Sequence, residues 1–255
     1  MKKFIASVVF ALAASVSAMN TASAAGGHVE LQDAQADIHN TSSLQRGAKY
    51  YVNYCMGCHS LNYSRYSRIA TDLELTQDQV VKNLIFTRNA DGEPENPGAL
   101  MKNAMSQKHS AEWFGAPPPD LSLVGRSRGP DWIYSYMKAF YLDPTRPLGV
   151  NNTVFPNVGM PHVLWELQGL QEKHCTKDGD GEHAVEHCEL KLVKPGSMSA
   201  IEYDQVVRDL TNFLTYVGEP AKLHRHGYGI FVLLFLALFA VLAYFLKKEY
   251  WRDVH

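Results

Sequence analysis

Two cysteines and a histidine carry the first chemistry in this 255-residue chain, in the run Cys55-Met56-Gly57-Cys58-His59. Two thiols one helical turn apart can both reach the vinyl groups on one edge of a porphyrin. The histidine after the second is then carried beneath the ring, where an imidazole nitrogen can bind iron. The pattern predicts covalently attached haem c, with Cys55 and Cys58 as thioether anchors and His59 as the proximal iron ligand. It occurs once, so one haem is expected. A thioredoxin-type dithiol shares the cysteine spacing, but it follows a strand and has no use for a metal ligand at the next position. A zinc site would want a second such pair or two histidines at finger spacing, and neither lies nearby.

The sixth iron ligand is a separate question. Outside the N-terminal stretch and the attachment turn, the methionines are Met101, Met105, Met137, Met160 and Met198. Met160 stands in Val158-Gly159-Met160-Pro161, where glycine permits unusual backbone and proline keeps the chain extended, so a side chain can be presented from a stiff loop. The other four fall in or near predicted helices and read as packing residues. A thioether favours ferrous iron and raises the potential. Spacing alone leaves bis-histidine ligation and an open site as alternatives, with His162 the nearest competitor.

Helices and loops must hold these groups. Ser43 to Tyr54 reads as a helix opened by a Ser/Thr cap and running into the cysteines. Thr76-Gln77-Asp78-Gln79 and Ser199-Ala200-Ile201-Glu202 are capping boxes; the second opens a helix that Gly218 and Pro220 end, and that is expected to pack on the first. Gly129-Pro130-Asp131 places proline at a helix start, ahead of Trp132, Tyr134, Tyr136 and Phe140. Asp91 to Gly98, Ala116 to Pro119 and Leu142 to Pro161 are rich in Pro and Gly and read as loops. Long loops suit a domain that can pack them on a large apolar plate such as haem. The acidic groups Asp91, Glu93 and Glu95 read as a solvated loop.

The two ends of the chain say where it works. Met1-Lys2-Lys3, an apolar run and Ala22-Ser23-Ala24 form a secretory signal peptide, residues 1–24. No Asp, Glu, Lys or Arg lies between Arg225 and Lys247, so residues 227–246 form a transmembrane helix and 247–255 a short cytoplasmic tail. Residues 25–224 are then one exported domain with a sizeable core. In that oxidising compartment Cys175 and Cys188 are expected to form a disulfide closing a polar surface loop. His174, His183 and His187 beside them keep a metal site as the alternative. The formal net charge of -2, with no basic patch, gives no sign of nucleic acid binding.

Taken together, the attachment motif after Gln45-Arg46-Gly47, the run Trp113-Phe114-Gly115-Ala116-Pro117-Pro118-Pro119-Asp120-Leu121-Ser122, Arg126-Ser127-Arg128, Gly159-Met160-Pro161 and the single C-terminal anchor resemble the cytochrome c1 family of bacterial bc1 complexes. The resemblance implies a mainly α, cytochrome c-like haem domain with long loops and insertions, and one C-terminal transmembrane helix. It implies Met160 as sixth ligand opposite His59, Pro118 and Pro119 against the ring, Arg126 on a haem propionate, and Trp132 and Tyr136 packed near the haem. The implied partners are cytochrome b, the Rieske iron-sulfur protein as electron donor, a periplasmic cytochrome c as acceptor, and the bacterial inner membrane, within a dimeric complex that contributes to proton-motive force. Catalysis would belong to the complex, since this chain would bind no quinol and make no bond. A free-standing membrane-tethered cytochrome and a haem-based sensor with an open sixth position are the rival readings.

Overall fold

The computed structural model describes residues 30–89, 91–178 and 185–253. The expected signal peptide, and His183 of the alternative metal site, lie outside the described residues. Nine α-helices lie among the described residues: α1 (Thr41–Tyr50), α2 (Tyr66–Asp72), α3 (Gln77–Asn83), α4 (Gln107–Phe114), α5 (Val124–Ser127), α6 (Pro130–Lys138), α7 (Trp165–Gln168), α8 (Ala200–Gly218) and α9 (Lys222–Tyr250). Three antiparallel strand pairs interrupt them: β1 (Leu61–Arg65) with β2 (Leu100–Met101), β3 (Phe140–Leu142) with β4 (Val150–Asn152), and β5 (Gly169–Asp178) with β6 (Val185–Pro195).

The expected mainly α fold is what the chain adopts, and its central packing is α1 on α8. Both predicted capping boxes form, Thr76 with Gln79 at α3 and Ser199 with Glu202 at α8. At α1 the start differs from expectation: the side chain of Asn40 accepts from the Ser43 N–H, and the helix opens at Thr41. Gly47 lets α1 approach α8 closely; a Cβ there would stand 2.6 Å from Phe213 Cβ and inside the Asp209 carbonyl. Beside that contact Asp209, fully buried, accepts two hydrogen bonds from the Arg46 guanidinium (2.6 and 2.9 Å) and one from Ser43 Oγ at 2.6 Å. A planar guanidinium paired with a carboxylate through two bonds fixes orientation as well as distance. α1 then widens into a single π-helical turn, Tyr51–Cys55, which delivers the attachment motif. Such turns recur at functional sites because the extra residue re-aims the backbone.

Two regions read as loops contain strands. Phe140 lies beyond the end of α6, in β3, and pairs with Asn152, so the Leu142 to Pro161 stretch is partly a hairpin. The segment expected to be a polar surface loop around Cys175 and Cys188 is instead the long β5–β6 hairpin. Cys175 and Cys188 oppose each other in it and are bonded, so neither is available as a thiolate ligand. Strand pairing joins residues far apart in sequence, which local periodicity does not report. α9 is long and apolar enough to cross a membrane, with mean hydropathy 2.8 in its most apolar window and its side chains exposed. At ~1.5 Å per residue its length exceeds the ~30 Å of a bilayer core.

Candidate haem-binding site

The His59 side is built from the π-turn outward. The N–H groups of Cys58 and His59 both donate to the Cys55 carbonyl (3.1 and 2.9 Å), and the Tyr51 hydroxyl donates to the His59 carbonyl at 2.6 Å. Cys55 is buried, Cys58 is half-buried, and both are free thiols. Burial, with the neighbouring Cys58 adding to it, pushes the Cys55 thiol up to about 12, and burial also raises Cys58. A thiol-exchange dithiol needs the reverse, a depressed thiol. The buried His59 ring is less basic than usual, because burial outweighs the support of the Pro119 carbonyl and Asp120. Its Nδ1 lies 2.7 Å from the Pro119 carbonyl oxygen. A carbonyl can only accept, so Nδ1 carries the proton and Nε2 keeps its lone pair for a metal.

Pro119 is held in place by the strap that follows α4. The Leu121 N–H donates to the Ser60 carbonyl at 3.0 Å. Asp120 accepts from the N–H groups of Asn62 (2.8 Å) and Ser122 (2.9 Å), and Ser122 Oγ accepts from the Tyr63 N–H at 3.1 Å. The Pro-Asp-Leu-Ser segment is thereby stitched to the residues after His59. Gly115, with φ of 80°, turns the chain out of α4, a conformation that favours glycine. At the other end of the strap a Cβ on Gly159 would stand 3.0 Å from the Phe114 carbonyl oxygen. The strap that meets His59 therefore leaves α4 where the loop that bears Met160 comes close to the helix end.

Met160 is half-buried, and the Tyr136 hydroxyl on α6 donates to its Sδ at 3.3 Å. Tyr136 stacks on Trp132 (centroids 4.8 Å apart, planes at 11°) and meets Phe140 edge-on at 5.2 Å. Two residues that the sequence reading did not single out hold the Met160 loop. The Asn152 side chain, with no exposed surface, donates to the Tyr136 carbonyl (2.8 Å) and accepts from the N–H groups of Val154 and Phe155 (2.9 and 3.1 Å). The Asn151 amide oxygen accepts from the Asn157 N–H at 2.8 Å, and its nitrogen donates to Asp143 at 2.9 Å. An Asn pair ahead of a Pro- and Gly-bearing stretch is the signal that could have found them, since Asn side chains cap nearby backbone N–H groups.

The remaining expected residues divide. Pro118 is half-buried and Pro119 exposed on the strap, while Tyr136 meets Met160 and Trp132 stacks on Tyr136. Arg126, on α5, runs its side chain past Gly218 and lines a polar cleft with Asp33, Asp131, Glu219 and Lys222. Arg128 is the arginine beside the aromatic cluster, its guanidinium 5.2 Å from the Trp132 ring centre and 6.0 Å from that of Phe155. His162 is buried with its ring flat on Phe140 (4.9 Å, 2°), and burial lowers its basicity to about 4. The disulfide hairpin meets this region near its base, where Gln171 donates to the Lys138 and Phe140 carbonyls. Two thiols in the attachment turn, an imidazole whose Nδ1 carries the proton and a half-buried thioether are a donor set that fits haem c.

Comparison with known proteins gives the pattern a family. The model of the cytochrome C1 family matches residues 32–179 and 194–254, taking in β5 and passing over most of β6. The chain belongs to the cytochrome c1 family. It is 52% identical over 234 residues to cytochrome c1 of Allochromatium vinosum, covering 91% of this chain and 93% of that protein. It is 42% identical over 248 residues to a Nitrosomonas europaea protein named ammonia monooxygenase gamma subunit, covering 97% and 99%. Cytochrome c1 of Rhodospirillum rubrum is 26% identical, with 85% of this chain and 83% of that protein covered. As a cytochrome c1 the chain is a haem subunit of a bc1-type complex with an electron-transfer role, and the family implies haem c, cytochrome b and the Rieske protein as its companions. α9 is the candidate for its membrane anchor.

Proposed function

We propose that this cytochrome c1 relays single electrons from the Rieske iron-sulfur protein to a periplasmic cytochrome c, within a dimeric quinol–cytochrome c oxidoreductase of the bacterial inner membrane. In this reading residues 1–24 direct export, 25–224 form the periplasmic haem domain, 227–246 span the membrane and 247–255 end in the cytoplasm. The relay contributes to proton-motive force through the complex as a whole.

The observation that carries the proposal is the His59 Nδ1 proton committed to the Pro119 carbonyl, on a strap that leaves α4 where the Met160 loop approaches that helix. When bound, haem c supplies a one-electron couple whose potential is raised by a thioether ligand. Cys55 and Cys58 would anchor it covalently, with His59 Nε2 and Met160 Sδ as the two donors to its iron. Burial keeps the imidazole neutral, and the Pro119 carbonyl orients it through Nδ1, as outer partners of metal-bound histidines do. Pro118, Pro119, Trp132 and Tyr136 would supply packing for the ring. For the propionate, Arg126 is the residue that the family pattern implies, whereas the stack of Arg128 on Trp132 favours Arg128. Arg126→Ala and Arg128→Ala, compared by potential and haem retention, decide between them.

The first test is a reduced-minus-oxidised spectrum of the protein drawn from native membranes by a C-terminal tag in mild detergent. Co-purifying b-type haem with antimycin-sensitive quinol to cytochrome c activity is the expected result. A c-type signal alone, retained in several gentle detergents, identifies a tethered carrier instead. Co-purification with monooxygenase subunits would assign the chain to the setting that the Nitrosomonas relative's name describes.

A further inference from the structure

Tyr136 brings a buried hydroxyl to the Met160 sulfur. Among the described residues, Met160 Sδ at 3.3 Å is the hydrogen-bond partner of that hydroxyl. A phenol removed from water needs a partner, and a thioether is a weak acceptor, so the pairing follows from placement and not from strong mutual attraction. The placement is well determined. Trp132 lies flat on one side of the Tyr136 ring and Phe140 meets it edge-on, while Asn152 ties the Tyr136 carbonyl to the same loop that carries Met160. Neither ring nor loop can shift alone.

A thioether sulfur has two lone pairs. The pair that accepts from Tyr136 is occupied, which leaves the other for a metal. We propose that Tyr136 is a positioning residue that selects which lone pair of Met160 faces the iron and, by drawing electron density from the sulfur, favours the ferrous state. The inference rests on the reading of Met160 as sixth ligand given above. It goes further by naming the group that sets the ligand's orientation and donor strength.

Tyr136→Phe tests it, because the substitution keeps the ring, its two aromatic contacts and the Asn152 bond to the backbone, and removes only the hydroxyl. The full chain, purified in detergent with its haem, would be titrated potentiometrically beside Met160→Leu. The expected result for Tyr136→Phe is retained covalent haem and a shift toward ferric of at least about threefold at fixed ambient potential. For a one-electron couple that is a midpoint lower by roughly 30 mV. The weak red band of ferric-thioether ligation should also change its circular dichroism. An unchanged midpoint and band in Tyr136→Phe, with Met160→Leu losing the band, overturns the role of Tyr136 and leaves the ligand standing. Loss of nothing in Met160→Leu removes the ligand and this inference together. A purely structural hydroxyl would lower the melting temperature and leave the midpoint where it was, which also counts against the proposal.

Discussion

The two sides of the candidate site are held by different means. His59 is fixed largely through backbone groups: the turn that contains it, its own carbonyl, which accepts from the Tyr51 hydroxyl eight residues back, and a proline carbonyl from a strap stitched to its own flank. Met160 is fixed by side chains: a tyrosine hydroxyl on its sulfur and two asparagine amides under its loop. Behind His59 stands the α1–α8 contact with its buried carboxylate, whereas Met160 leans on α6 and a three-residue strand pair. Backbone-held geometry tolerates substitution around it. A side-chain lattice can be loosened by one mutation, so ligand exchange should begin on the Met160 side.

The largest break of that comparison is His59→Ala. It should abolish mature holoprotein, seen as loss of the haem-stained band, because the anchoring thioethers then flank no axial nitrogen. Met160→Leu should be milder in kind: haem retained, potential lowered and carbon monoxide bound. An unaltered spectrum would remove Met160 from the coordination sphere. Asn152→Ala sharpens the contrast further. It leaves two loop N–H groups without their acceptor and should cost about 2–4 kcal/mol in a denaturant titration, with partial loss of thioether ligation. A change of similar size in the His59 environment would contradict the separation of the two sides.

Two smaller effects probe what lies behind the site. Cys188→Ser should remove a non-reducing mobility shift and lower stability by up to about 3 kcal/mol in the chain-entropy model. The potential should stay unmoved, since the bond lies out along the hairpin. The smallest concerns Asp204, through which α8 holds α6. Burial works against its charge, but hydrogen bonds from Lys138, Tyr134 and Arg208 outweigh it and hold the carboxyl down to about 2 from 3.8. A depressed carboxylate stabilises above its unfolded value and loses that contribution as pH falls through its folded one. Stability should therefore decline between about pH 4 and pH 2, and Asp204→Asn should flatten that part of an acid-denaturation curve. An identical acid limb in the variant would assign the decline to other carboxylates.

Much of the fold was readable locally. Capping boxes at Thr76 and Ser199, proline after Gly129 and the apolar run of α9 depend on neighbours within a turn or on composition, and each element stands where it was expected. The start of α1 moved because Asn40, three residues ahead of Ser43, makes the cap. The hairpins were missed for a different reason: β3 with β4 and β5 with β6 are defined by pairing across a turn, and β3 and β4, at three residues each, are too short for alternation to announce them.

The attachment motif, its histidine, the paired second cysteines and the apolar anchor follow from residue type and spacing, because that chemistry is confined to a few consecutive positions. Which imidazole nitrogen carries the proton and which hydroxyl meets the Met160 sulfur are set by groups 60 and 24 residues apart in the chain. Hydrogen-bond partners and ring stacks at such separations exist only once the helices have packed, so the tertiary structure alone decided them.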